Sequence, residues 1–172
     1  MLLVESLLLM ALAVPLLARI AWLDFTTQEI ANRDVLLLLC LGAGSLLLMS
    51  LRSGSWWDIG LSALAGLLLF VALFPFWALR RIGAGDVKLM ATVPFLIGGG
   101  WLVMFSILLL FFALVTVLVV KNPTLLPEGA FRVYTQHLDR KGVVPFGVPI
   151  SLASICTIAL QIVSSLMAPG GL

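Results

Sequence analysis

The sequence predicts an all-α, polytopic membrane protein with about six transmembrane helices. Three observations predict it. Hydrophobic residues make up 62% of the 172-residue chain and charged residues only 10%. Mean hydropathy is +1.22. Apolar runs of helical, membrane-crossing length recur from one end of the chain to the other. A soluble domain carries roughly a quarter charged residues and, at this size, has too little interior to hide so much apolar surface. The composition therefore excludes a water-soluble globule, a disordered chain and a nucleic-acid binder built on a basic face. The expected solvent is a lipid bilayer. The net charge of +2 identifies no further partner.

The first run, Leu2 to Leu23, has no basic segment before it, and Glu5 stands where a signal peptide would carry Lys or Arg. It reads as a retained helix. Four more runs follow: Val35 to Leu51, Ile59 to Leu79, a short one from Val87 to Ile97 ending at Gly98-Gly99-Gly100, and Trp101 to Val120. The last extends from Val144 to Met167. The longest loop, Lys121 to Val143, holds Pro123, Pro127 and Gly129, and a short surface helix is expected around Phe131 to Leu138. No loop has room for a folded domain, so residues 1–172 read as a single transmembrane domain.

The basic residues support six spans. With alternating loops, every Lys and Arg except Arg52 falls on one side: Arg19, Arg33, Arg80, Arg81, Lys88, Lys121, Arg132, Arg140 and Lys141. Basic residues mark cytoplasmic loops, which places both termini outside the cytoplasm. Trp22, Trp56, Trp57, Trp77 and Trp101 sit near the expected boundaries, where amphipathic rings favour the headgroup region.

The ionisable inventory is short. Cys40 and Cys156 lie in apolar runs and read as small buried hydrophobes. With the single histidine, His137, far from any other ligand pattern, no metal site and no cofactor are expected. Of the eight acidic residues, two stand out by position. Asp24 ends the first run, and Asp86 opens the fourth in Gly83-Ala84-Gly85-Asp86-Val87-Lys88-Leu89. The first run heads inward and the fourth outward, so both carboxylates fall near the cytoplasmic face. Charge at that depth is costly unless it pairs, meets water or serves a function. Two adjacent carboxylates share a proton, so one can take a proton from water while the other polarises a carbonyl. The glycines before Asp86 permit close approach of another helix or an extended substrate. The plainer explanation is that Asp86 caps its helix. A non-catalytic scaffold or small transporter is the competing class, although a proton-coupled transporter favours a carboxylate near the midplane and no span carries one there.

The string from Gly83 to Leu89 resembles the GxGD aspartic membrane peptidases and, within them, the type IV prepilin peptidases. Asp24, eight residues before Asn32, resembles the family's first-aspartate segment, usually Asp followed by Ile-Pro-Asn; Ala31 here replaces the proline. Pro145-Phe146-Gly147 resembles the Pro-Tyr/Phe-Gly segment near the family's end. Leu23-Asp24 differs from the Tyr-Asp of presenilin-like members. About one helix precedes Asp24 and there is no CxxC, as in the short, peptidase-only form associated with tight-adherence (Flp-type) pili.

The resemblance implies an endopeptidase of the bacterial inner membrane, without cofactor, with Asp24 and Asp86 catalytic. Its substrate would be a prepilin or pseudopilin precursor whose short basic leader is removed after a glycine. Gly83, Gly85, Asn32, Pro145 and Gly147 would support the site or bind substrate. Glu29 and Asp34 are candidates for attracting the basic leader. Lys88, two residues from Asp86, is expected to snorkel toward lipid headgroups. Asp24 ends a helix, where the dipole disfavours negative charge, and Asp86 begins one, where it is favoured. On that ground Asp24 is expected to hold the shared proton and Asp86 to be the base.

Overall fold

A computed structural model describes residues 2–142 and 144–167. Val143, the expected end of the long loop, lies outside the described residues. Among those residues there are seven α-helices and no strand: α1 (Leu2–Thr27), α2 (Asn32–Ser53), α3 (Trp57–Ala78), α4 (Ala84–Ile97), α5 (Leu102–Lys121), α6 (Ala130–Lys141) and α7 (Gly147–Met167). Each expected run appears as a helix, and the expected surface helix is α6. The first helix continues four residues past its apolar run, because nothing in Asp24-Phe25-Thr26-Thr27 breaks it; the Thr26 and Thr27 hydroxyls bond back to the carbonyls of Trp22 and Leu23 at 2.8 Å.

Five helices (α1, α2, α3, α5 with the 3₁₀ turn before it, and α7) are long and apolar enough to cross a membrane. The expected sixth span, α4, has only 14 residues. At 1.5 Å per residue it reaches about 21 Å, short of the roughly 30 Å hydrocarbon core. It nevertheless forms the centre of the bundle, with α2, α3 and α7 packed around it. Its Leu89, Val93, Leu96 and Ile97 meet Leu17 and Ile20 of α1, Leu38 of α2 and Ile150 and Ile158 of α7 in the buried core.

Small residues permit this closeness. A Cβ on Gly42 would lie 2.8 Å from the Leu96 backbone, and one on Gly66 would lie 2.7 Å from the Ala91 carbonyl oxygen. Lipid offers no hydrophobic drive for helix association, so such close backbone packing holds helices together. At the far end of α4, Gln161 of α7 donates its Nε2–H to the Ile97 carbonyl at 2.5 Å, partnering a group the helix end leaves free.

Chain direction alternates. Helices α1, α3 and α5 run toward the end that carries Asp24; α2, α4 and α7 run away from it. The contacts establish this: Gly85 lies against Ile30 and Gly147 against Asp24 at one end, while Gly99 lies against Leu61 near the other. Lys121, closing α5, bonds Asp139 of α6 at 2.9 Å, again at the Asp24 end. Cys40 departs from expectation: it faces outward on α2 and is exposed, while Cys156 is half-buried. An outward position on a membrane helix is still apolar, so the sequence pattern does not distinguish the two environments.

Candidate active site

The site forms where α1 ends and α4 and α7 begin. Asp24, in the last turn but one of α1, is only 5% exposed. The backbone N–H groups of Gly147 and Val148, in the first turn of α7, lie against its carboxylate. This approach requires glycine at 147. A Cβ there would stand 2.7 Å from Asp24 Cγ and 2.8 Å from Oδ2, closer than real side chains pack.

Two features fix the end of α1. The last carbonyls of a helix lack intrahelical partners. Tyr134 of α6 places its hydroxyl 2.7 Å from the Phe25 carbonyl and 2.8 Å from that of Thr26, and its ring packs on Phe25 at a centroid distance of 5.0 Å. Gln28 then adopts φ +57°, with its N–H on the Asp24 carbonyl at 3.1 Å. This left-handed residue stops the helix and turns the chain toward α4.

Asp86 occupies the third position of α4, and Gly83 is the N-cap. Its carboxylate reaches back to the Gly83 N–H, the return half of a capping box. Capping thus accounts for part of its placement. A Cβ on Gly83 would lie 3.0 Å from Asp86 Oδ2, and one on Gly85 would lie 2.8 Å from Ile30 Cβ. The two glycines therefore let the carboxylate fold back and let the loop after α1 close on α4.

Asp24 and Asp86 line one cleft of about 300 Å³, together with Gln28, Glu29, Ile30, Gly83, Ala84 and Gly85. Asp24 Oδ2 and Asp86 Oδ1 are buried there without a hydrogen-bond partner. Buried polar atoms are rarely left so, and a catalytic role is one reason for an exception. Asp86 sits in the first turn of α4, just before the apolar run that begins at Val87. Burial, and then the nearby Asp24 charge, push the Asp86 carboxyl up to about 7, against the smaller opposing effect of the Gly83 N–H.

The supporting residues divide. Glu29 lines the cleft and is exposed. Pro145 is buried just before α7. Lys88 does not simply extend to lipid: its Nζ donates to Asn32 Oδ1 at 2.9 Å, tying α4 to the start of α2. Asp34 is not free to attract a leader, because it is buried and ion-paired with Arg19. His137 does not line the cleft, and no group of three or more metal-ligating side chains occurs among the described residues. The sequence reading missed Val148 and Tyr134. Tyr134 carried one available signal, being the single tyrosine of the chain in its one polar helix.

Asp24 lies toward the negative end of α1, and folding also brings the positive end of α7 to its carboxylate.

Fold and site define a multi-pass helical membrane protein with two buried carboxylates from distant segments in one cleft. A family model described as the type IV leader peptidase family matches residues 11–120. The chain belongs to that family and is a peptidase. The matched residues include Asp24 and Asp86 but end before α6 and α7, so Tyr134 and Gly147 lie outside them. No curated protein and no solved structure matches the chain.

Proposed function

We propose that this peptidase is an aspartic endopeptidase that removes the short cytoplasmic leader of prepilin or pseudopilin precursors at the inner-membrane boundary. Asp24 and Asp86 form its catalytic pair. The chain passes the membrane six times, the apolar run 87–97 of α4 making the fourth passage in the protein-enclosed centre of the bundle, and both termini lie outside the cytoplasm. The strong bias of Lys and Arg to the Asp24 end supports this orientation.

One observation carries the reading: two buried, unpartnered carboxylate oxygens from α1 and α4 open into a single cleft. Asp24, whose charge is part of what raises the Asp86 carboxyl, is the base, and the α7 amides lie against it. Asp86, whose carboxyl is pushed up to about 7, is the proton donor. Asp24 takes a proton from a water molecule as that water attacks the scissile carbonyl carbon. Asp86 donates its proton to the carbonyl oxygen, giving a neutral gem-diol. On collapse the departing amine receives the proton held by Asp24, and a diol hydroxyl returns its proton to Asp86. No covalent enzyme intermediate and no cofactor are required.

The test is co-expression with a precursor pilin, following leader removal by gel mobility. Wild type is expected to remove the leader. Asp24→Asn and Asp86→Asn are each expected to insert normally and leave the precursor intact. Processing by either Asn variant would show that the pair is not the catalyst and would favour the scaffold alternative.

A further inference from the structure

Asp86 borders a second cavity as well as the catalytic cleft. This one holds about 230 Å³ and is lined by apolar side chains, among them Leu73 of α3, Met90 of α4, Leu109 and Ala113 of α5, and Phe146. Asp86 and Met90 are four residues apart and share one helix face. Asp86 therefore stands at the junction, with a polar cleft on one side and an apolar cavity on the other.

The flanking helices leave this cavity open to lipid. α3 packs on α4, and α5 packs on α7, rather than on each other. They are the least buried of the five long helices. Leu109 and Ala113 stand twelve and eight residues before Lys121, so the cavity lies within the apolar depth of α5. Ala113 is a small residue among large ones there, where a neighbouring backbone can approach closely.

A comparable hollow lies on the other flank of α3, with about 240 Å³ bounded by Phe70, Phe74, Trp77 and Lys88. It touches neither aspartate. A third, by Trp56 and Trp57, lies at the opposite end of the bundle. Of these three, the α3–α5 opening alone joins an apolar, membrane-level surface to a catalytic carboxylate.

We propose that the opening between α3 and α5 is the lateral entry for the substrate's apolar membrane helix. That helix rests against Leu73, Leu109 and Ala113, and the chain at its cytoplasmic end passes Asp86 into the cleft. The occupant must be apolar over the bilayer depth and polar or basic beyond it. The cleft meets this second half with the exposed carboxylate of Glu29. This assignment rests on the proposed leader-peptidase function.

The experiment uses the full-length enzyme in phosphatidylethanolamine/phosphatidylglycerol vesicles. The probe is a designed single-pass precursor with a Lys-rich leader, a glycine and a 20-residue apolar helix. Photoreactive benzoylphenylalanine replaces Leu73 or Leu109 in one pair of enzymes, and Phe70 or Trp77 in another. Crosslinks to the precursor are expected from positions 73 and 109, with at least a fivefold lower yield from 70 and 77. In parallel, Ala113→Trp should lower precursor cleavage at least tenfold, while Leu67→Trp, on the outward face of α3, should leave it unchanged. Preferential crosslinking at 70 and 77, or wild-type cleavage by Ala113→Trp, overturns the entry route while the peptidase assignment stands. Failure of the wild-type enzyme to cleave the precursor overturns both.

Discussion

Replacing Gly147 with alanine isolates the contribution of α7 to the site, because it leaves both aspartates in place. The added Cβ would lie 2.7 Å from Asp24 Cγ, 2.8 Å from Oδ2 and 2.9 Å from Cβ. Ordinary van der Waals contact begins near 3.4 Å, so about 0.7 Å of separation must be found (3.4 minus 2.7). Asp24 is buried, and its Cβ is tied to the α1 backbone, so rotation alone cannot clear the clash. Either the carboxylate or the start of α7 moves. Displacing a reacting group by about 1 Å can cost about a hundredfold in rate. A loss of roughly 10- to 100-fold in kcat is therefore expected, alongside an overpacking cost of about 1–3 kcal/mol in stability. The assay is single-turnover cleavage of a precursor in vesicles, with thermal unfolding measured on the same preparation. Gly60→Ala is the matched control, because no atom lies within 4 Å of a Cβ placed there. Wild-type cleavage by Gly147→Ala would refute the argument that α7 positions Asp24.

Three further outcomes follow from the same geometry. Cleavage should decline as pH rises through about 7, where the acid Asp86 loses its proton; a rate still rising well above that pH would contradict Asp86 as the proton donor. Tyr134→Phe keeps the ring on Phe25 but removes the hydroxyl from two carbonyls, so a stability loss of about 1 kcal/mol is expected from thermal unfolding, with a several-fold slower cleavage. Arg19→Ala leaves the buried Asp34 carboxylate unpaired, whereas Lys121→Ala breaks a pair between an exposed lysine and a half-exposed aspartate; calorimetry should rank the first as clearly more destabilising, and equal melting temperatures would contradict that.

The helices were legible because a bilayer imposes a simple rule, about 20 apolar residues per crossing. Every expected run became a helix, and α4 differed only in the depth it reaches. The two aspartates were legible because charge is so rare in this chain that position alone isolates them. What escaped were contacts between segments far apart in sequence. The amides of Gly147 and Val148 meet Asp24 across most of the chain, and no local pattern encodes that meeting. The dipoles of α1 and α4 are visible in the sequence, whereas that of α7 reaches Asp24 only through the fold. Arg19–Asp34 and Lys88–Asn32 escaped for the same reason: Asp34 read as an attractor for a basic leader and Lys88 as a lipid-facing charge until folding supplied each with a partner. Cys40 shows the converse limit, since apolar surroundings in a membrane protein do not distinguish core from lipid.

The central claim is that Asp24 and Asp86 act on each other within one cleft. Infrared titration of the carboxyl stretch, comparing wild type with Asp24→Asn in vesicles, tests it most directly. The account predicts that wild type holds a protonated carboxyl titrating near 7, assigned to Asp86 by its loss in Asp86→Asn, and that its midpoint falls when the Asp24 charge is removed. A midpoint that stays in place in Asp24→Asn would mean that the two carboxylates do not sense each other, and would contradict the shared site.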